Sequence, residues 1–255
     1  MTIHVARSRG FEISYEDVGE GPAVVLVSGF AWPASSWAEL GYVDRLVKAG
    51  YRVLAVDPLG HGLSEKSNDW KSYVAPDIAR DVVAAMDAAG VSEAAVWGYS
   101  RGAGLAVMAA VEFPDRVTAL VVGGLSWFGP ASSTDGEIEP WTEALLRGSW
   151  DEFWELLGGP VPEIDKQLME QSSDPRTMGA VDVGRQRSRY AVDPSRVRAP
   201  TLAYYGAADT GAVNSAAEAF GAEPLILQGR HDHSGAIRDV DDVAPIVLNF
   251  LASNR

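Results

Sequence analysis

Six short apolar runs, alternating with amphipathic stretches, constrain this chain more than anything else in it. Ala23-Val24-Val25-Leu26-Val27 is uninterrupted by polar residues, as expected of a strand buried on both faces. Residues 51–56, Ala94–Trp97, Val117–Val122, Thr201–Tyr205 and Pro224–Leu227 read the same way. Strands alternating with helices predict an α/β fold: a mostly parallel central sheet with helices on both faces. Residues 11–16 are expected to add an antiparallel leading strand.

The intervening stretches carry helix signals. Ser36 with Glu39 forms a capping-box pattern, after which Trp37, Leu40, Val43, Leu46 and Val47 share one face until Gly50. Pro76 suits a first helical position, followed by Ile78, Val82, Val83 and Met86 on one side and Gly90 at the end. Further helices are expected from Ser100 to just before Pro114 and over 240–252, the last with Val243, Ile246, Val247 and Phe250 inward. Residues 125–190 break the rhythm. They hold two short helical patterns and no convincing strand, which predicts a helical cap inserted into one domain spanning 1–255, with core 1–124 and 191–255.

A chain of 255 residues buries enough surface to need no staple. It contains no cysteine, which excludes disulfides, thiolate zinc sites and a cysteine nucleophile. Acidic residues outnumber basic ones, 35 to 21, giving a formal charge of −14 that repels phosphate backbones and anionic lipid. Nucleic acid and membrane partners are therefore not expected. The N-terminus shows no signal peptide and no run is long enough to span a bilayer, so a cytoplasmic monomer or homodimer is the expectation.

Gly98-Tyr99-Ser100-Arg101-Gly102 fits Gly-x-Ser-x-Gly directly after an apolar strand and directly before a helix. In that context the serine occupies a very tight strand-to-helix turn, with backbone angles most residues avoid. The glycines remove side chains that would collide with the neighbouring strand and helix. The hydroxyl is held exposed at the top of the sheet, beside a helix N-terminus that favours negative charge. Ser100 is thus the candidate nucleophile.

With these motifs the chain resembles the α/β-hydrolase superfamily over nearly its whole length. Val27-Ser28-Gly29-Phe30 is similar to the family's oxyanion turn, with Ser28 where histidine is common. Asp57-Pro58-Leu59-Gly60-His61-Gly62-Leu63-Ser64 resembles its Asp-x-x-Gly-x-Gly-x-Ser loop. Ala199 to Asp209 resembles the strand ending in the catalytic acid, and Gly229-Arg230-His231-Asp232-His233 the loop carrying the base. The resemblance implies a Ser100–His233–Asp209 triad in the chain order serine, acid, histidine. His233 is favoured over His231 because its distance to the closing helix better suits the family. His61 is expected in a structural hydrogen bond and His4 at the surface. The alternative for Asp209 is a helix cap ahead of Ala212. By analogy the oxyanion hole consists of the backbone N–H groups of Phe30 and Arg101, the Arg101 guanidinium pairing with a nearby acid.

The implied reaction is acyl transfer to water without metal or organic cofactor. Trp127, Phe128, Trp141, Trp150, Phe153 and Trp154 give the cap unusual aromatic content. A substrate pocket is expected from Trp32, Tyr99, Trp127, Trp150 and Trp154. The small-molecule substrate is expected to be a small or medium, largely apolar ester, thioester or lactone. C–C bond hydrolases, perhydrolases and low-turnover signal-binding proteins share the fold. The family's dehalogenases and epoxide hydrolases use an aspartate where this chain has Ser100. Its perhydrolases tend to carry methionine in place of Arg101.

Overall fold

The computed structural model describes residues 2–125, 138–158, 161–188, 190, 192–209, 220, 225–228 and 232–254. Among the described residues, eight strands form one sheet: β1 (Thr2–Ser8), β2 (Phe11–Val18), β3 (Ala23–Val27), β4 (Arg52–Val56), β5 (Ala94–Tyr99), β6 (Val117–Gly123), β7 (Thr201–Gly206) and β8 (Leu225–Leu227). Their order is β1-β2-β4-β3-β5-β6-β7-β8. The β1–β2 and β2–β4 pairs are antiparallel, and every later pair is parallel. All six apolar runs are strands. The leading strand runs two residues further than expected and pairs with β1, which the sequence did not signal.

Among the described residues the helices are α1 (Ser36–Glu39), α2 (Tyr42–Lys48), α3 (Arg80–Ala88), α4 (Arg101–Glu112), α5 (Pro140–Arg147), α6 (Trp150–Leu157), α7 (Glu163–Ser172), α8 (Pro175–Arg187), α9 (His233–Arg238) and α10 (Val240–Ser253). The helix expected from Ser36 is two helices, separated at Gly41 with φ +88°. Its capping box does not form, because the Ser36 hydroxyl donates to the Pro33 carbonyl at 2.7 Å instead. A 3₁₀ turn over Asp77–Ala79 precedes α3, so the regular helix begins later than Pro76 suggested. In α10, Val243 and Val247 are buried as expected, with Ala244 and Leu251 beside them rather than Ile246 and Phe250. No described helix is long and apolar enough to cross a membrane.

The strand order positions the site. Strand β3 has β4 on one side and β5 on the other, so the chain leaves β3 and β5 in opposite directions across the sheet. Such a switch point opens a crevice at the strands' C-terminal ends. Val27 pairs with Gly98 there, placing residues 28–30 and Ser100 at the same edge. Below the crevice Trp37, Tyr42 and Trp97 pack edge to face with centroids 5.0–5.3 Å apart. Among the described residues, four helices, α5 to α8, lie between β6 and β7 in the chain.

Candidate active site

Ser100 joins β5 to α4 with φ +54° and ψ −120°, a conformation non-glycine residues rarely adopt. The glycines permit it. A Cβ on Gly98 would lie 2.2 Å from the Gly102 carbonyl oxygen, and one on Gly102 would lie 2.1 Å from that of Val27. Strand and helix therefore touch through bare backbone, and the serine is forced outward.

The base comes from the far edge of the sheet. Asp232 caps α9 by accepting the Gly235 N–H at 2.7 Å, which leaves His233 as the first helical residue. The Tyr99 hydroxyl donates to the His233 carbonyl at 2.5 Å and fixes that residue's backbone. His233 Nε2 then lies 2.8 Å from Ser100 Oγ, and Nδ1 lies 2.8 Å from Asp209 Oδ2. Asp209 follows β7, its N–H donating to the Gly206 carbonyl at 2.9 Å. With Nδ1 donating to the carboxylate, Nε2 is the free acceptor for the serine proton. His231, and the residues that would test a cap role for Asp209, lie outside the described residues.

The turn after β3 faces the serine, since a Cβ on Gly29 would come within 3.4 Å of Ser100 Cβ. The Phe30 and Arg101 N–H groups have no hydrogen-bond acceptor among the described residues. Ser28 supports this turn by donating to the Pro33 carbonyl at 3.1 Å. From the other side Ser173, just after α7, donates to the Ala31 carbonyl at 3.1 Å. The loop after β4 braces the same turn. Asp57 is buried and accepts from Ala34 N–H at 2.6 Å and Leu63 N–H at 2.9 Å, while burial raises its pKa above the usual carboxylate range.

A sequence model of the alpha/beta hydrolase fold matches residues 22–233, from just before β3 to His233 at the start of α9. The chain belongs to the α/β-hydrolase fold family. It is 33% identical over 159 residues to epoxide hydrolase B of Mycobacterium tuberculosis, covering 58% of this chain and 44% of that protein. It is 32% identical over 142 residues to the 2-hydroxy-6-oxononadienedioate/2-hydroxy-6-oxononatrienedioate hydrolase of Comamonas testosteroni, covering 54% and 49%. The chain thus spans less than half the length of either curated relative. Among solved structures, a thermophilic esterase from Thermogutta terrifontis superposes with a TM-score of 0.81 at 19% identity, over 99% of both chains. The bottromycin epimerase BotH gives 0.80 at 23%, over 98% of this chain and all of that one.

In this α/β-hydrolase the crevice holds two chambers that share Ser100, His233, Phe30, Leu157 and Met169. The larger, about 460 Å³, extends between α4 and α8 past Leu105, Met108, Trp141 and Phe153. The smaller, about 170 Å³, is bounded by Trp32, Tyr99, Trp154 and Asp165. Of the expected pocket residues, Trp32, Tyr99 and Trp154 line the smaller chamber. Trp150 lines neither. It stacks on Trp154, with centroids 5.6 Å apart, and meets Phe153 edge-on at 5.4 Å. Trp127 and Phe128 lie outside the described residues.

Several polar groups at this site have no sequence signal pointing to them. Asp182 and Arg185, both on α8, line or border the larger chamber. The buried Asp165 pairs with Arg238 beside the smaller one, and Arg238 also lies over the Trp32 ring at 5.4 Å. The Arg101 guanidinium differs from expectation: it makes no hydrogen bond or ion pair among the described residues, and its Nε is buried without a partner. His61 is buried, with Nδ1 3.2 Å from the Leu59 carbonyl. Burial, reinforced by the nearby charge of Arg101, pushes its pKa down to about 3. The ring is therefore neutral, with Nδ1–H donating. His4 is exposed on β1, stacked on Tyr15.

Proposed function

We propose that this protein is a serine hydrolase cleaving a small or medium acyl compound, an ester, thioester or lactone, through an acyl-enzyme on Ser100. The observation carrying the proposal is the continuous line from Ser100 Oγ through His233 to Asp209, with both contacts at 2.8 Å and the serine at the mouth of two chambers.

In this mechanism Ser100 Oγ attacks the carbonyl carbon and His233 Nε2 takes its proton. Asp209 holds the tautomer and stabilises the imidazolium. The carbonyl electrons move onto oxygen, which accepts from the Phe30 and Arg101 N–H groups. Collapse of this intermediate breaks the bond to the leaving oxygen or sulfur, which takes the proton from His233. A water then repeats the cycle on the acyl-enzyme, releasing the acid and restoring Ser100. The apolar walls favour a largely hydrocarbon substrate. Epoxide hydrolysis is not carried over from the relative of that name, because the family's epoxide hydrolases are expected to hold aspartate where Ser100 stands. A second reading, C–C bond hydrolysis by the same residues, draws support from the Comamonas relative.

The test is reaction with a fluorophosphonate followed by peptide mass spectrometry, together with hydrolysis of p-nitrophenyl esters of graded chain length. Labelling is expected at Ser100. Ser100→Ala should abolish labelling and lower kcat/KM by about ten-thousand-fold. Labelling at Ser100 without ester turnover would shift the assignment to the C–C hydrolase, and labelling elsewhere would end it.

A further inference from the structure

The larger chamber is mostly apolar, with Arg101, Asp182 and Arg185 as the charged residues of its lining. Arg101, half-buried and next to the nucleophile in the chain, forms part of that wall. Burial lowers its pKa to about 10, so the guanidinium is still charged at neutral pH. The carboxylate that offsets it most is Asp182, whose oxygens are already committed. Oδ1 accepts from Arg185 Nε at 2.7 Å. Oδ2 accepts from Thr142 Oγ1 at 2.6 Å and from the Gln186 amide. Thr142, Asp182 and Gln186 are all buried, so this arrangement is fixed by packing. Two guanidiniums share one carboxylate, leaving an excess of one positive charge among the described groups. A buried charge without a partner is costly, and a chamber open to ligand offers a way to satisfy it.

We propose that the larger chamber receives an anionic end of the substrate, a carboxylate, with Arg101 as its counter-ion. This deepens the acyl-hydrolase reading and rests on it: the substrate becomes an ester, thioester or lactone with a carboxylate several bonds from the scissile carbonyl. The smaller chamber suits that end less: its one charged lining residue among the described residues is Asp165, already paired with Arg238, so it offers no excess positive charge. The two chambers thus give the substrate a direction. The carboxylate-bearing half lies along α4 towards α8, and the uncharged half lies against Trp32 and Trp154. Charge-assisted bonds to a guanidinium in such a setting are strong enough to discriminate between otherwise similar substrates.

Two measurements test this. The first is the kcat/KM ratio between mono-p-nitrophenyl adipate, which ends in a carboxylate, and p-nitrophenyl hexanoate, which does not. The wild-type protein should favour the adipate ester by about tenfold or more. In Arg101→Met the ratio should fall to one or below, and Arg101→Lys should retain a preference for the adipate. The ratio is read because any damage to the shared chemistry cancels in it. The second is calorimetric binding of hexanoate and hexanamide to Ser100→Ala, which needs no turnover. Hexanoate should bind about tenfold more tightly, and adding Arg101→Met should erase the difference. A protein that hydrolyses both esters without preference, or whose preference survives Arg101→Met, overturns the anion site and leaves the hydrolase reading intact. Loss of all ester turnover with the hexanoate preference retained would do the reverse. Equal binding of hexanoate and hexanamide rejects the anion site whatever the esters show.

Discussion

The two sides of the crevice are held in place by different kinds of contact. On the sheet side the contacts are between main-chain atoms: Gly98 against Gly102, and Gly102 against Val27 and Ser28. On the side of α5 to α8 they are between side chains. Phe153 meets Trp141, Trp150 and Trp154 at 4.7–5.8 Å, and Thr142, Asp182 and Gln186 form one hydrogen-bonded group. Backbone contact leaves no rotamer to adjust, so the reacting atoms are placed by the fold itself. Side-chain contact tolerates exchange of one ring or polar group for another. The first side fixes what reaction is feasible, and the second decides what fits.

The largest effect expected from this difference is that of Gly102→Ala. The added methyl would meet the Val27 and Ser28 carbonyl oxygens at 2.1 and 2.4 Å, both main chain in the centre of the sheet. We expect a loss of about 3 kcal/mol or more, read as a lowered urea midpoint or failure to accumulate folded protein. On the same helix Gly104 has only a Leu125 methyl group nearby, at 4.0 Å from the added carbon, so Gly104→Ala should leave the midpoint unchanged or raise it. Equal effects of the two substitutions would break the distinction.

A smaller effect lies in the loop that braces the sheet side. His61 is neutral in the fold, with a pKa of about 3 against an ordinary value near 6.5. Between these values the unfolded chain binds a proton that the folded one refuses. Stability is therefore fully present above pH 6.5 and falls as pH decreases towards 3, with a slope approaching about 1.4 kcal/mol per pH unit. Asp57 and Asp81, whose pKa values burial raises, act in the opposite sense. The difference between wild type and His61→Asn isolates the histidine. Urea unfolding from pH 4.5 to 7.5 should show the wild-type curve falling relative to the variant as pH decreases; parallel curves would mean that His61 takes up its proton in the fold as it does in the unfolded chain.

What could be read from the sequence divides along the same line. The six parallel strands, and the segments that bring Ser100, Asp209 and His233 together, were legible because apolar runs and an elbow impose local, chain-ordered patterns. Strand β1 escaped because it is a solvent-exposed edge: Ile3 and Val5 are more than half exposed, so its apolar residues mark no core face. The split at Gly41 was hidden because apolar spacing runs on across it. The Arg101–Asp182 relation was unreadable for another reason. The two residues are 81 positions apart, on helices that only tertiary packing brings to one chamber, and nothing in α8 distinguishes a wall residue from a surface one.

The smallest predicted effect tests how adaptable the side-chain half is. Trp150 was expected in the pocket, yet its ring faces Phe153 and Trp154 and its Nε1–H is buried without an acceptor among the described residues. Trp150→Phe removes some packed ring surface, which destabilises, and removes an unsatisfied buried donor, which stabilises by about 1–3 kcal/mol. The two contributions oppose each other, so the free energy of unfolding should change by no more than about 1 kcal/mol. Because neither chamber is lined by this ring, kcat/KM for any ester that the wild-type protein turns over should stay within about twofold. A large loss of stability would mean that α6 is held as rigidly as the elbow. A large change in ester selectivity at unchanged stability would mean that the ring reaches the substrate after all.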